Sequence, residues 1–199
     1  MKNLLSRLLR PALEDKIENE EFLRAELSFY TSRTDDNLVG EMNAEKQSHA
    51  FFVKYLLNTL RISLEDKISL AQQTDMLKDY IECYRHAYSE QNQLYIRLNV
   101  EQEGDPMLPA FILFPLVQNA LRYGYNSIES FPLKITIKII ANTLTMEVSN
   151  RVNHHIAAQQ DSPEILNYKA RLAVCYPDAH FLLFNSNSHT FKASLRIQL

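Results

Sequence analysis

Residues 113–126 read LFPLVQNALRYGYN. Leu113, Leu116, Val117, Ala120 and Leu121 recur at helical spacing and make one apolar stripe, while Gln118, Asn119 and Arg122 share the other face. The segment runs onto Gly124, one of only three glycines in the chain. It reads as a core helix carrying one asparagine. What surrounds Asn119 decides both the fold and the chemistry.

Upstream, the pattern is helical from about residue 3 to residue 91. Leu4, Leu5, Leu8, Leu9, Leu13 and Ile17 recur at helical spacing, followed by Leu23, Leu27 and Tyr30. Pro11 either kinks or starts a helix. TSRTDDN (31–37) breaks the pattern with turn formers. A second helix carries Leu38, Met42, Phe52, Tyr55, Leu56 and Leu60. A third opens at Ser69, three residues before Gln72, in the pattern of a capping box. It continues with Leu70, Leu77, Ile81, Tyr84 and Tyr88 on one stripe.

After residue 92 the period drops to two. Leu94, Ile96, Leu98 and Val100 alternate with polar or aromatic neighbours, as in a half-buried strand. EGDP (103–106) is a turn. Beyond the asparagine helix, Leu133, Ile135, Ile137 and Ile139 form a strand, and Leu144, Met146 and Val148 its hairpin partner across ANT (141–143). A polar loop (151–162), a helix at about 163–175 and two closing strands (180–185 and 191–197) complete the chain. Antiparallel strands with helices between them predict an α+β layer with helices on one face.

The 199 residues suffice for one or two units with a proper core. Lys+Arg 21 against Asp+Glu 24 gives a net charge of −3, which argues against a dedicated nucleic-acid binder. No apolar run is long enough to span a bilayer, and the N-terminus lacks the apolar core and cleavage site of a signal peptide. Cys83 and Cys175 lie in different helices and suggest a reducing compartment without a metal site, so the expected location is the cytoplasm. MKNLLSRLLR (1–10) is basic and amphipathic, which leaves a peripheral association with the inner membrane open. Being short and without an aromatic, it reads as a helix start with solvated Lys2, Arg7 and Arg10.

Three stretches resemble the LytS-like sensor histidine kinases of bacteria, over about residues 20–199. ISLAQQTDMLKDYIECYRHAY (68–88) is similar to PLxEElxxLkdYlelekxRF. LPAFILFPLVQNALRYG (108–124) is similar to iPplLLqPLVENAikHG, with Pro, Leu, Val and Asn in order without a gap. LNYKARLAVCYPDAH (166–180) is similar to lxNvrxRLellYpgxH. The resemblance implies a helical dimerisation and phosphoacceptor-like segment (1–66) and a histidine-kinase ATPase-like domain (67–199). The expected architecture is an N-terminal helical hairpin followed by an α/β sandwich with a mostly antiparallel mixed sheet.

The motifs for chemistry depart from that family. Its phosphoacceptor motif is NPHFLFN; aligned on LRAEL (23–27), the histidine's place falls to Tyr30. An imidazole is nucleophilic near neutral pH, whereas a phenol with a pKa near ~10 is almost fully protonated there. Tyr30 is therefore read as an aromatic packing at a helix end. His49, in EKQSHAFF, has no carboxylate immediately after it and is read as a half-exposed helix residue. In the family the position of Asn119 carries magnesium and that of Gln118 is a glutamate that helps polarise the reaction. Asn119 is kept, but Gln118 cannot act as a base. Tyr123 stands where a histidine is common, and Arg122 completes the face.

The family's adenine acceptor lies in DxGxG. Here EVSNRVNHH (147–155) has neither aspartate nor glycine, and Asn150 is the candidate remnant. His154 and His155 are adjacent, so they diverge and are loop residues rather than a metal pair. The phosphate loop GxGLxN, aligned on Asn167, places Ser162 and Glu164 at its glycines. Read from chemistry alone, Ser162 is a helix N-cap, Pro163 the first helical residue and Glu164 a complement to the helix dipole. That puts a carboxylate where phosphates would lie.

These readings lead to a degenerate histidine-kinase-like protein of two-component-type signalling, a pseudokinase with no cofactor. The alternative is a divergent kinase that binds ATP and magnesium, autophosphorylates and passes phosphate to a response regulator. A helper of unrelated function on the same fold is a third class. Expected partners are a second copy of the chain, a true histidine kinase or a response regulator, with no nucleic acid.

Overall fold

A two-residue turn sets the centre of the sheet. Ala141 and Asn142 both adopt left-handed backbone, with φ of 45° and 62°. This is the geometry of a type I′ turn, whose twist suits a hairpin. The turn joins β4 (Leu133–Ile140) to β5 (Thr143–Arg151) and pairs Ile140 with Thr143. In the computed structural model β2 (Ile96–Gln102) runs parallel to β4. β7 (Thr190–Gln198) lies antiparallel to β5, and β6 (His180–Ser186) antiparallel to β7. The resulting order is β2-β4-β5-β7-β6.

The alternation along each strand divides the sheet into two faces. Leu133, Ile135, Ile137 and Ile139 of β4, and Leu144, Met146 and Val148 of β5, are buried on one of them. Each such side chain stabilises the fold by roughly 1.5–3 kcal/mol. That face is covered by α4 (Leu70–Tyr88), α5 (Phe114–Tyr123) and α6 (Pro163–Cys175). As expected, Ser69 opens α4, its hydroxyl accepting from the Gln72 amide at 3.2 Å. A second acceptor is Asp105, from the Ala71 amide at 2.8 Å. A short antiparallel pair, β1 (Lys67–Ser69) with β3 (Met107–Pro109), braces the starts of α4 and α5. Three-residue strands are too short to show a period, so the sequence did not reveal them.

The structure describes residues 2–41, 49–88, 93–124, 126–154 and 159–199; of residues 2–17, 41, 49 and 159 it describes the backbone alone. The expected stripe from Leu4 to Ile17, Met42, and the side chains of His49 and His155 therefore lie outside the described residues. α1 (Lys2–Arg33) continues through Pro11 and through Thr31–Arg33, so the break read at 31–37 is confined to Thr34 and Asp35. The second expected helix is described as α2 (Asp36–Glu41) and α3 (His49–Thr59).

These three helices pack on the helical layer rather than standing away from it. α1 lies along α6 and touches α5, and α2 and α3 rest on α4. The stripe Leu23, Leu27 and Tyr30 is exposed, at 64%, 50% and 44%. The buried face is Ala25, Ser28, Phe29 and Ser32, at the same helical spacing but rotated. Phe29 explains the choice. Its ring meets Phe111 edge-on at 5.6 Å and lies under the guanidiniums of Arg171 (5.3 Å) and Arg33 (5.4 Å). Tyr30 leans on Phe29 from outside, at 5.3 Å, and on the Arg33 guanidinium, at 5.1 Å. Among the described residues no helix is long and apolar enough to cross a membrane.

Candidate functional site

α5 starts at Phe114, with Pro115 in its first turn, where a missing N–H costs nothing. Phe114 to Leu121 are all buried, including Gln118 and Asn119. In line with the reading as a core helix, the polar face is closed over by α1 and α6.

Gln118 does a specific job there. A helix leaves its last four carbonyls without partners. In α1 the Thr34 amide donates to Tyr30 O at 2.9 Å, and the Tyr55 hydroxyl to Arg33 O at 3.3 Å. The two between are met by the Gln118 amide, with Nε2 at 3.1 Å from Ser32 O and 3.5 Å from Thr31 O. Gln118 thus closes the C-terminus of a helix 86 residues upstream. A carboxylate at this position has no hydrogen to donate.

Arg122, one turn on, holds two carboxylates from different elements. Its Nη2 lies 3.2 Å from Asp35 Oδ1, and its Nη1 pairs with Glu164 Oε1. Asp35 is 4% exposed. Its carboxylate also accepts from the amides of Asn37 (3.0 Å) and Leu38 (3.4 Å), capping α2, and from the Tyr80 hydroxyl at 2.5 Å. Burial opposes the charge on Arg122, but Asp35 and Glu164 outweigh it and raise its pKa above the ordinary arginine value. Burial first, and then Asp35, push the Tyr80 phenol well above its ordinary value, so it serves as a proton donor to the carboxylate.

α6 begins as the sequence indicates. Ser162 is the N-cap, accepting from the Ile165 amide at 3.3 Å; Pro163 is the first helical residue and Glu164 lies in the first turn. The Ser162 hydroxyl also reaches Asn119 Oδ1 at 3.4 Å. The Tyr123 hydroxyl leans on Glu164 Oε2 at 3.4 Å. Asn167 lies further along α6, its Oδ1 3.5 Å from Arg24 Nη1 of α1.

Asn150 lies against the other end of α5. A Cβ on Gly124 would stand 2.5 Å from its Nδ2, so glycine is required there by close approach rather than by backbone angle. Asn150 Nδ2 donates to Arg151 O at 2.8 Å. Asn150 Oδ1 and the nearby Asn126 Oδ1 are buried without partners among the described residues.

The structure thus brings together Gln118, Asn119, Arg122, Tyr123, Ser162 and Glu164. It sets Asn150 and Asn167 at the margins and leaves Tyr30 outside. His154 is an exposed turn residue, and no group of three or more metal-binding side chains occurs among the described residues. Sequence reasoning missed Asp35, Tyr80 and the α1 carbonyls. Asp35 could have been found as an N-cap before α2; its ion pair spans 87 residues and leaves no local mark.

The space left among Ser28, Thr31, Gln118, Asn119, Arg122 and Glu164 is about 10 Å³. That is room for about one water, against the ~300 Å³ or more of a small-molecule pocket. A nucleotide triphosphate with its magnesium does not fit this enclosed space. Glu164 would repel it, the N-terminus of α6 is already capped, and α1 fills the volume. A larger cavity of about 590 Å³, lined by Tyr84, Leu121, Arg122, Gly124 and Asn126 among others, adjoins the same helix.

No protein-family model matches the chain, and no curated protein matches it significantly. Solved structures do match. The histidine kinase domain of the blue-light-activated kinase EL346 from Erythrobacter litoralis superposes with a TM-score of 0.51. It does so at 11% identity, over 92% of this chain and 94% of that one. The fold is that of a histidine kinase domain. A histidine kinase from Burkholderia phymatum STM815 superposes at 13% identity over 97% and 98% of the two chains, with a TM-score of 0.46. Acinetobacter baumannii AdeS does so at 10% identity over 76% and 75%, with a TM-score of 0.48. At 11% identity the likeness to the Erythrobacter domain establishes the fold and nothing of the chemistry.

The capping role of Gln118 has a direct test. Gln118→Glu sets a carboxylate against two carbonyls and is expected to lower unfolding stability by about 1–3 kcal/mol in urea titration. Gln118→Ala removes the donor without adding charge and should cost less. Equal stability of Gln118→Glu and the parent would show that the amide does not close α1.

Proposed function

We propose that the chain is a degenerate, LytS-like relative of the sensor histidine kinases, a pseudokinase acting as a binding module in two-component-type signalling. One observation carries the reading: the residues at the nucleotide-site positions are bonded to one another and to α1. Gln118 caps α1, Arg122 joins Asp35 to Glu164, and Ser162 caps α6. In this reading residues 1–66 are the dimerisation and phosphoacceptor-like segment and residues 67–199 the ATPase-like domain. Free Cys83 and Cys175 suit a cytoplasmic setting. A true kinase or a response regulator is the partner to look for.

The second reading, a divergent kinase, has one observation in its favour. Asn150 Oδ1 stands where the resemblance puts the adenine acceptor, and it is buried with no partner among the described residues. A base amino group would satisfy it. Calorimetry with ATP and magnesium separates the two readings. The pseudokinase binds negligibly, and labelled ATP leaves no phosphate on Tyr30 or His49. Micromolar affinity that is weakened by Asn119→Ala, or acid-labile phosphate on His49, would establish the kinase instead.

Homodimerisation rests on the exposed side of α1. Phe22, Leu23 and Leu27 are 60%, 64% and 50% exposed, and Leu57 and Leu60 follow at the end of α3. A second copy can cover these residues by pairing the same surface about a two-fold axis. Light scattering at micromolar concentration should give the mass of a dimer. Leu23→Asp with Leu27→Asp should give a folded monomer. A parent protein that already scatters as a monomer removes this part of the proposal.

A further inference from the structure

The helices cover one face of the sheet; the other carries a net positive charge. Outward-facing residues of β2, β4, β5 and β7 include Arg97, Lys134, Lys138, Arg151, Lys192 and Arg196, against only Glu101 and Glu147. Six cations and two carboxylates leave +4 on this face, and therefore −7 on the rest of a chain whose net charge is −3.

Register aligns the cations in rows across the strands. Arg97 pairs with Lys134, Lys134 with Ser149, and Ser149 with Lys192. Four residues further along, Lys138 pairs with Thr145 and Thr145 with Arg196. The carboxylates are spoken for, Glu101 by Lys138 at 2.8 Å and Glu147 by Lys192 at 2.7 Å. Arg97, Lys134 and Arg196 are exposed and have no hydrogen-bond or ion-pair partner among the described residues. Arg196 continues the second row to Phe181 on β6, which is 61% exposed; Leu183, on the same face, is 50% exposed. Lys138, Thr145, Glu147 and Arg196 line a groove of about 450 Å³.

We propose that this open sheet face is the docking surface for an acidic partner protein. The partner presents carboxylates to the two cation rows and an apolar side chain to Phe181 and Leu183. Five strands at ~4.8 Å and seven residues at ~3.3 Å give a flat footprint of roughly 19 by 20 Å, about half of the ~800 Å² per partner of a standard interface, to which side-chain relief adds. A protein suits the pattern better than a lipid surface. The two carboxylates stand among the cations, where a uniformly anionic plane would meet them, and the groove accepts side chains. The exposed apolar residues are few, Phe181 and Leu183 along one edge and Ile140 at the end of β4. The inference is independent of the nucleotide-site reading.

The test uses the full chain and a labelled peptide of alternating glutamate and valine, followed by fluorescence anisotropy. Binding should weaken with added salt, as exposed charges are screened within ~10 Å at 0.1 M. Lys134→Glu with Arg196→Glu should reduce affinity by at least about tenfold, a difference of ~1.4 kcal/mol. The milder Arg196→Gln should lie between, and Arg61→Glu, away from this face, should change nothing. Absence of binding, or indifference to the paired reversal, overturns the proposal. So does tighter binding to phosphatidylserine-containing vesicles than to the peptide. Self-association of the parent that the reversal abolishes overturns it too, because the face would then serve a second copy.

Discussion

Arg122 sits between two carboxylates that belong to opposite ends of the chain, and the upper half of the molecule is arranged around it. Asp35 follows α1, caps α2 and accepts from Tyr80 of α4; Glu164 opens α6. One guanidinium on α5 therefore fixes the relation of five helices. The Asp35 side chain is 2% exposed and that of Arg122 22%, so the pair is poorly screened. The attraction matters less than the cost of losing one partner, since an unpaired buried charge destabilises by several kcal/mol. Glu164, at 32% exposure, is the softer end of the chain of contacts.

Three departures from the motifs that the sequence resembles have a structural use in this arrangement. Gln118 donates to the last carbonyls of α1, which a glutamate cannot do. Ser162 closes the N-terminus of α6, which glycine caps less well than serine. Glu164 supplies Arg122 with its second counter-charge. These substitutions are mutually consistent. They read as parts of one packed arrangement rather than as scattered losses.

Much of the sheet and its covering helices was legible, because both depend on local periodicity. The alternation from Leu133 to Val148, the Ser69 cap and the Ser162–Pro163–Glu164 start all leave marks within a few residues. The facing of α1 was not legible. Leu23 and Leu27 are more apolar than Ser28 and Ser32, yet the serines are buried. Phe29 selects that face through its contacts with Phe111 and Arg171, and the hydroxyl of Ser32 is satisfied within the helix by Ser28 O at 2.6 Å. Asp35 reads as a turn residue in TSRTDDN for the same reason: its partners Tyr80 and Arg122 lie 45 and 87 residues away.

Hydrogen exchange at the end of α1, followed by mass spectrometry with and without ATP and magnesium, tests most directly whether α1 occupies the site. If it does, the amides of residues 28–35 exchange slowly, as slowly as those of α5, and the nucleotide leaves them unchanged. If residues 28–35 exchange like a free helix end, or if nucleotide exposes them while protecting the start of α6, then α1 is a displaceable cover and the site beneath it still binds.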